Sequence, residues 1–152
     1  MIKVLGIDVG TKTGWSFYDK KFNEDEIGKR EFKSLAQYKE FVKSLILRFE
    51  PDVVTFSDTL VLYGKNVNHK SIRKLCACMD MIELACEEQD QLCYITGDSE
   101  AKKFIESSGK PDTKKWARKL LNCKMSQDEA DSMMFSYFVS CEFKTANELK
   151  QI

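Results

Sequence analysis

Apolar and polar positions along this chain switch between two periods, and the switches mark its elements. Residues 1–8 form a nearly continuous apolar run of strand length that closes on an acid, Asp8. Residues 13–18 and 28–33 are two further strand candidates, joined by turn-rich, charged segments, so the first third predicts an antiparallel meander. From 35 to 49 the residues Leu35, Tyr38, Phe41, Val42, Leu45 and Ile46 recur at helical spacing, and Pro51 stops the helix. "DVVTFSD" then reads as a short β-branched strand. Residues 71–88 place Ile72, Leu75, Met79, Ile82 and Cys86 on one helical stripe, which packs either on the sheet or on a second copy of the chain. "QLCYITG" is a fifth strand, 99–106 and 113–121 are short helices, and Ser126 opens a last helix reaching about Phe143. The order βββαβαβα, with further helices, implies an α/β fold in which a mixed five-stranded sheet is covered by helices.

Composition narrows this picture. A chain of 152 residues, 43% hydrophobic, suffices for one core and a single domain spanning 1–152. The 24 basic and 24 acidic residues cancel, so only the local distribution of charge can indicate a polyanionic partner. That distribution is uneven. Residues 59–79 contain no acid but hold Lys65, His69, Lys70, Arg73 and Lys74, and eight Lys or Arg between 102 and 124 face only Glu106 and Asp112. Six cysteines without a CxxC pair read as small core residues in a reducing compartment. No apolar run approaches the ~18 residues of a membrane span and no leader pattern opens the chain, so a soluble, intracellular, cytoplasmic protein is expected, with no membrane association.

Candidate chemistry sits at two places. In "MSQDEADSMMFSYF", Ser126 and Glu129 fit a capping box, which gives Glu129 a structural task. Asp128 and Asp131, three apart, share a helical face at the end where the helix dipole favours negative charge. Either they are ordinary first-turn acids or they converge on a cation. Asp8 has the same two readings, as a local turn acid or as a ligand. Three acids at a strand end and a helix start are what a divalent-metal phosphoryl-transfer site requires, because hard cations held ~4 Å apart stabilise both attacking and leaving oxygens.

The segments "GIDVGTKTGWSF", "PDVVTFSD" and "DEADSMMFSYF", in that order, resemble the motifs of RuvC-type Holliday junction resolvases within the RNase H-like superfamily. "ITGDSEAKKFIESSGKPDTKKWARKLL" is similar to the family's stretch of two Lys-containing helices around a Gly-containing loop. The resemblance covers roughly residues 1–140. It implies a homodimeric, Mg²⁺- or Mn²⁺-dependent endonuclease, with two cations per active site, that nicks four-way DNA junctions symmetrically in a bacterial or virus-infected cell. It assigns Asp8 as the first-strand metal ligand and Asp128 and Asp131 as the D-x-x-D pair. Lys103 and Lys114, with their neighbours Lys102 and Lys115, fall near phosphate-contacting positions.

One position departs from the family. An acid is expected directly after the apolar residues of the middle strand, where this chain has Ser57 followed by Asp58. Alternation along a strand would point Asp58 away from the site unless a bulge or the strand's end re-aims it. Asp58 is therefore a shifted catalytic ligand, or Ser57 is an engineered change, or the chain binds junctions while cutting poorly.

"LYGKNVNHKSIRK" directly follows. Lys65, Asn66, His69, Lys70 and Arg73 either track the DNA backbone, with Tyr63 or Leu60 wedged near the branch point, or form a solvated face. Lys12, close to Asp8, joins the candidate nucleic-acid contacts. "DVGTKTG" also resembles the phosphate loop of sugar kinases and actin-like ATPases, but their cleft needs two such domains and this chain has length for one. Other branched DNA, or RNA, stays open as substrate.

Overall fold

The computed structural model describes residues 1–58 and 68–150. Strands β1 (Val4–Asp8), β2 (Lys12–Tyr18), β3 (Ile27–Glu31), β4 (Val53–Phe56) and β5 (Cys93–Ile95) form a five-stranded sheet in the order β3-β2-β1-β4-β5. The first three strands are the expected antiparallel meander, and β4 and β5 join parallel to β1, so the sheet is mixed. Parallel pairing requires crossovers, which α1 (Leu35–Phe49) and α2 (His69–Glu88) supply. After β5 come α3 (Asp98–Phe104), α4 (Lys110–Leu121), α5 (Gln127–Glu142) and α6 (Ala146–Lys150).

Strand alternation sorts the sheet into two faces. Leu5, Ile7, Val54 and Phe56 point into a cluster with Tyr38, Val42, Ile82 and Cys86 from α1 and α2. Each such buried side chain contributes about 1.5–3 kcal/mol. Val4 and Val53, of opposite parity, pack with Met134, Phe135, Phe138 and Val139 of α5. The α2 stripe thus goes largely to the chain's own core: Met79, Ile82 and Cys86 are buried, while Ile72 and Leu75 are half-buried.

Helix α5 lies unusually close to the sheet. Its Ser132, Ser136 and Ser140, four apart, are buried, and the Ser136 and Ser16 hydroxyls are 2.9 Å apart. At Gly6, a Cβ would collide with the Ser132 carbonyl and lie 2.9 Å from Ser136 Cβ.

Helix boundaries moved where caps decide them. α2 starts two residues before the expected Ser71 because Asn68 accepts from the Lys70 and Ser71 amides at 3.0 and 3.3 Å. α4 starts at Lys110, three residues earlier than expected, with Pro111 in its first turn, where a missing amide costs nothing. The short α6 and a 3₁₀ turn over Glu24–Glu26 carried too few residues to show a period. Of the cysteines expected in the core, Cys78 and Cys86 are buried, Cys76, Cys93 and Cys123 half-buried, and Cys141 exposed. Trp15 is buried, and Trp116 packs half-buried between the α5 clusters.

Candidate active site

Asp8 is the last residue of the central strand β1, and parity places it with Val4 and Gly6 on the α5 face. Its cross-strand partner is Gly14 of β2. A Cβ on Gly14 would collide with the Asp128 carbonyl, so a side chain is excluded there and the first turn of α5 sits directly on the sheet. Two sequence-distant acids meet because one residue between them has no side chain.

The start of α5 is fixed independently by the expected capping box. The Glu129 amide donates to Ser126 Oγ at 3.2 Å, and the Ser126 amide donates to Glu129 Oε1 at 3.0 Å. Glu129 thereby faces its cap, while Asp128 hydrogen-bonds Asp8. A hydrogen bond between two carboxyls holds a proton on one of them. Asp131 lies a turn further on, accepting from Gln127 Nε2 at 2.9 Å.

Burial, then the Asp131 charge, then the hydrogen bond to Asp128 push the Asp8 carboxyl up to about 9. Burial also raises Asp131, against the hydrogen bond from Gln127 and the positive charges of Lys110 and Lys102. Lys110 lowers both acids and is the cation whose field they share. It was missed in the sequence because it is one of several lysines in "SGKPDTKK", and only the early start of α4 sets it apart.

Among the described residues, no three His, Cys, Asp or Glu side chains are gathered closely enough to hold a metal ion in this arrangement. The donor set nevertheless suits a hard divalent cation. It consists of carboxyl oxygens, and the burial and neighbouring Asp131 charge that lift Asp8 are what such a cation would offset.

The neighbouring strand ends differently. β1 and β4 run parallel with Ile7 opposite Phe56, so one further step sets Ser57 level with Asp8, and Ser57 shares the parity of Val53 and Thr55. Ser57 is half-buried, and Asp58, beyond the strand, is exposed.

The basic candidates among the described residues fall into four groups. Lys12 shares a groove of about 280 Å³ with Asp128 and with Lys29, Arg30 and Glu31 of β3. Lys29 and Arg30 escaped the sequence reading because β3 brings them to Asp128 only through pairing with β2. Lys114 and Lys115 line an open hollow on α4 with Arg118 and Lys119. Lys70 and Arg73 lie on the first turns of α2, where His69 is exposed. Lys102 pairs with Asp98 at 2.8 Å, and Lys103 is exposed. Lys65, Asn66, Tyr63 and Leu60 lie outside the described residues.

No protein-family model matches the sequence, and no curated protein matches it significantly. Solved structures do match. RuvC of Thermus thermophilus in complex with a Holliday junction substrate superposes with a TM-score of 0.76 at 17% identity, covering 93% of this chain and 96% of that one. A yeast mitochondrial Holliday junction resolvase gives 0.62 at 13% identity, over 88% and 75%. Fowlpox virus resolvase with its junction DNA gives 0.56 at 9% identity, over 92% and 99%.

The chain has the RNase H-like fold of RuvC. Within this RuvC-like frame the acid cluster occupies the C-terminal end of the central strand, and the Ser57 position lies beside it. Among the described residues, no helix is long and apolar enough to cross a membrane.

Proposed function

We propose that this chain is a structure-selective endonuclease that binds four-way DNA junctions and nicks them symmetrically as a homodimer. The supporting observation is the hydrogen bond between Asp8 and Asp128 at the central strand's end, with the Asp131 charge acting on Asp8, on a fold matched by three resolvases' structures, two of them complexes with junction DNA. Asp8, Asp128 and Asp131 would hold Mg²⁺ or Mn²⁺, with Asp58 as the candidate fourth ligand. When bound, such cations polarise a scissile phosphate and make a water nucleophilic at neutral pH.

The chain's own groups do the rest. Lys110 offsets the acids' charge, and the capping box and Gly14 fix where Asp128 stands. Lys12, Lys29 and Arg30 line the groove through which a phosphate backbone would reach Asp128. Lys114 and Lys115 would hold a duplex arm, contributing affinity without base readout. Half-buried Ile72 and Leu75 offer apolar surface to a second copy, and six free cysteines suit a reducing intracellular setting.

The test is incubation with a synthetic four-way junction in Mg²⁺ or Mn²⁺, with flap, fork and RNA competitors, read on a denaturing gel. Paired symmetric nicks support the reading, and the absence of both cutting and binding overturns it. Ser57 beside Asp8 favours a second reading, a junction binder with impaired cleavage. Salt-sensitive binding without cutting would select it.

A further inference from the structure

The strongest unassigned feature lies on the opposite face of the sheet from the acids, at the same edge. A pocket of about 380 Å³ opens between the start of α1, the β1–β2 turn at Thr11 and the first half of α2. Its walls are apolar: Phe32, Leu35, Tyr38, Ala77 and Cys78. Its mouth carries the cationic side chains of Lys33, Lys70, Arg73 and Lys74, and among the described residues no Asp or Glu lines it. Among the described residues, none of these four cations is in an ion pair.

The pocket's floor is built into the turn that follows Asp8. Thr13 donates to the Gly10 carbonyl at 2.6 Å, and the Thr13 and Tyr38 hydroxyls are 3.0 Å apart. A strand lying across the C-terminal ends of β1 and β4 would therefore meet both the acids and this pocket.

A flat apolar body with an anion at its edge fits such a site. We propose that the pocket receives one unstacked nucleotide of the bound DNA, its base between the Phe32/Leu35 and Ala77/Cys78 walls and its phosphates at Lys70, Arg73 and Lys74. This rests on the junction-binding reading above. Extruded bases are held in this manner, by enclosure and stacking, wherever a protein must take a base out of its stack. The acid-free mouth selects a polyanion over an acidic-and-basic protein surface, and four like charges disfavour a second copy of the same face. Polar groups for base-edge readout are few. Ser34 already caps α1 through the Gln37 amide at 3.2 Å, so the pocket accepts a base by position at the branch rather than by identity.

The experiment places 2-aminopurine singly at positions around the exchange point of a four-way junction and follows its fluorescence at saturating protein in chelator. A gel shift on the same samples reads junction binding itself. The expected result is a fluorescence rise confined to one symmetry-related pair of positions. Ala77→Trp, which fills the pocket, should abolish that rise while the junction still shifts. Arg73→Gln with Lys74→Gln should weaken the shift but keep the rise at saturation, showing an intact pocket with a weaker phosphate grip. A saturated gel shift without any rise, or a rise unchanged in Ala77→Trp, overturns the proposal and leaves the functional reading standing. Binding of free 2-aminopurine deoxyribonucleoside monophosphate that Ala77→Trp removes, without any rise in the junction, overturns it in favour of a free-nucleotide site. No shift at all overturns the functional reading and this proposal with it.

Discussion

Strands β1 and β4 lie side by side and parallel, and their ends differ in one chemical respect. β1 ends in a half-buried carboxyl against two more acids, whereas β4 gives way to a hydroxyl at the level of Asp8. The same backbone pairing thus delivers a group able to hold a hard cation on one strand and one that cannot supply charge on the next. The comparison separates what the fold provides, a place beside Asp8, from what the residue provides.

The largest effect is expected at the charged end. Asp8→Asn should lower junction cleavage by about 10³-fold or more, with junction affinity changed less than about threefold, because the amide keeps the shape but not the ligand charge. Single-turnover cleavage alongside a metal-free gel shift measures both. Equal activity in the variant would remove Asp8 from the site.

Both ends were partly legible before the structure. The apolar run closing on Asp8, the Ser126/Glu129 cap and the spacing of Asp128 and Asp131 are local patterns, and local patterns survive folding. Ser57 stood out only through resemblance. What stayed hidden was set by pairing and by contact between distant segments. Gly14 is one residue of a strand candidate until the register puts it under Asp128. Lys29 and Arg30 reach Asp128 through an edge strand, Lys110 reaches the acids through a helix start, and the apolar pocket joins the basic start of α2, already marked in the sequence, to Phe32, Leu35 and Tyr38, which the sequence did not connect with it.

Gly14→Ala perturbs the junction between the charged strand end and its helix. The added methyl meets the Asp128 carbonyl, so the first turn of α5 must lift or the strand must shift. A loss of about 1–3 kcal/mol of stability is expected, as for an overpacked core site, with roughly 100-fold slower cleavage because Asp128 loses its place. Thermal unfolding and cleavage rates on the same sample check it. Full activity would mean that the closeness of α5 to β2 is not what positions the acid.

At the uncharged end, two substitutions discriminate. Ser57→Glu should speed cleavage by about tenfold or more if the hydroxyl is what weakens the site, since a second strand-end carboxylate then stands beside Asp8. Asp58→Asn should do nothing in that case. If instead Asp58→Asn stops cutting and Ser57→Glu does not help, the exposed acid beyond the strand is the ligand, and the two strand ends are less different than their register suggests.

The smallest effect, and the one that reads the charge directly, is on stability against pH without divalent metal. The folded chain holds the Asp8 proton up to about pH 9, far above an unfolded aspartate. Between those values the folded state binds more protons than the unfolded one, so stability is greatest below the unfolded pKa and declines as pH rises through this window. One group accounts for at most about 1.4 kcal/mol per pH unit, and solvent access at a half-buried site reduces that. Asp8→Asn cannot ionise, so its melting temperature should fall less between pH 5 and 8 and should exceed the parent's at pH 8 by a few degrees. A parallel fall in both proteins would show that the crowding of Asp8 with Asp128 and Asp131 costs the fold nothing, and the strand end would then differ from Ser57 in charge but not in strain.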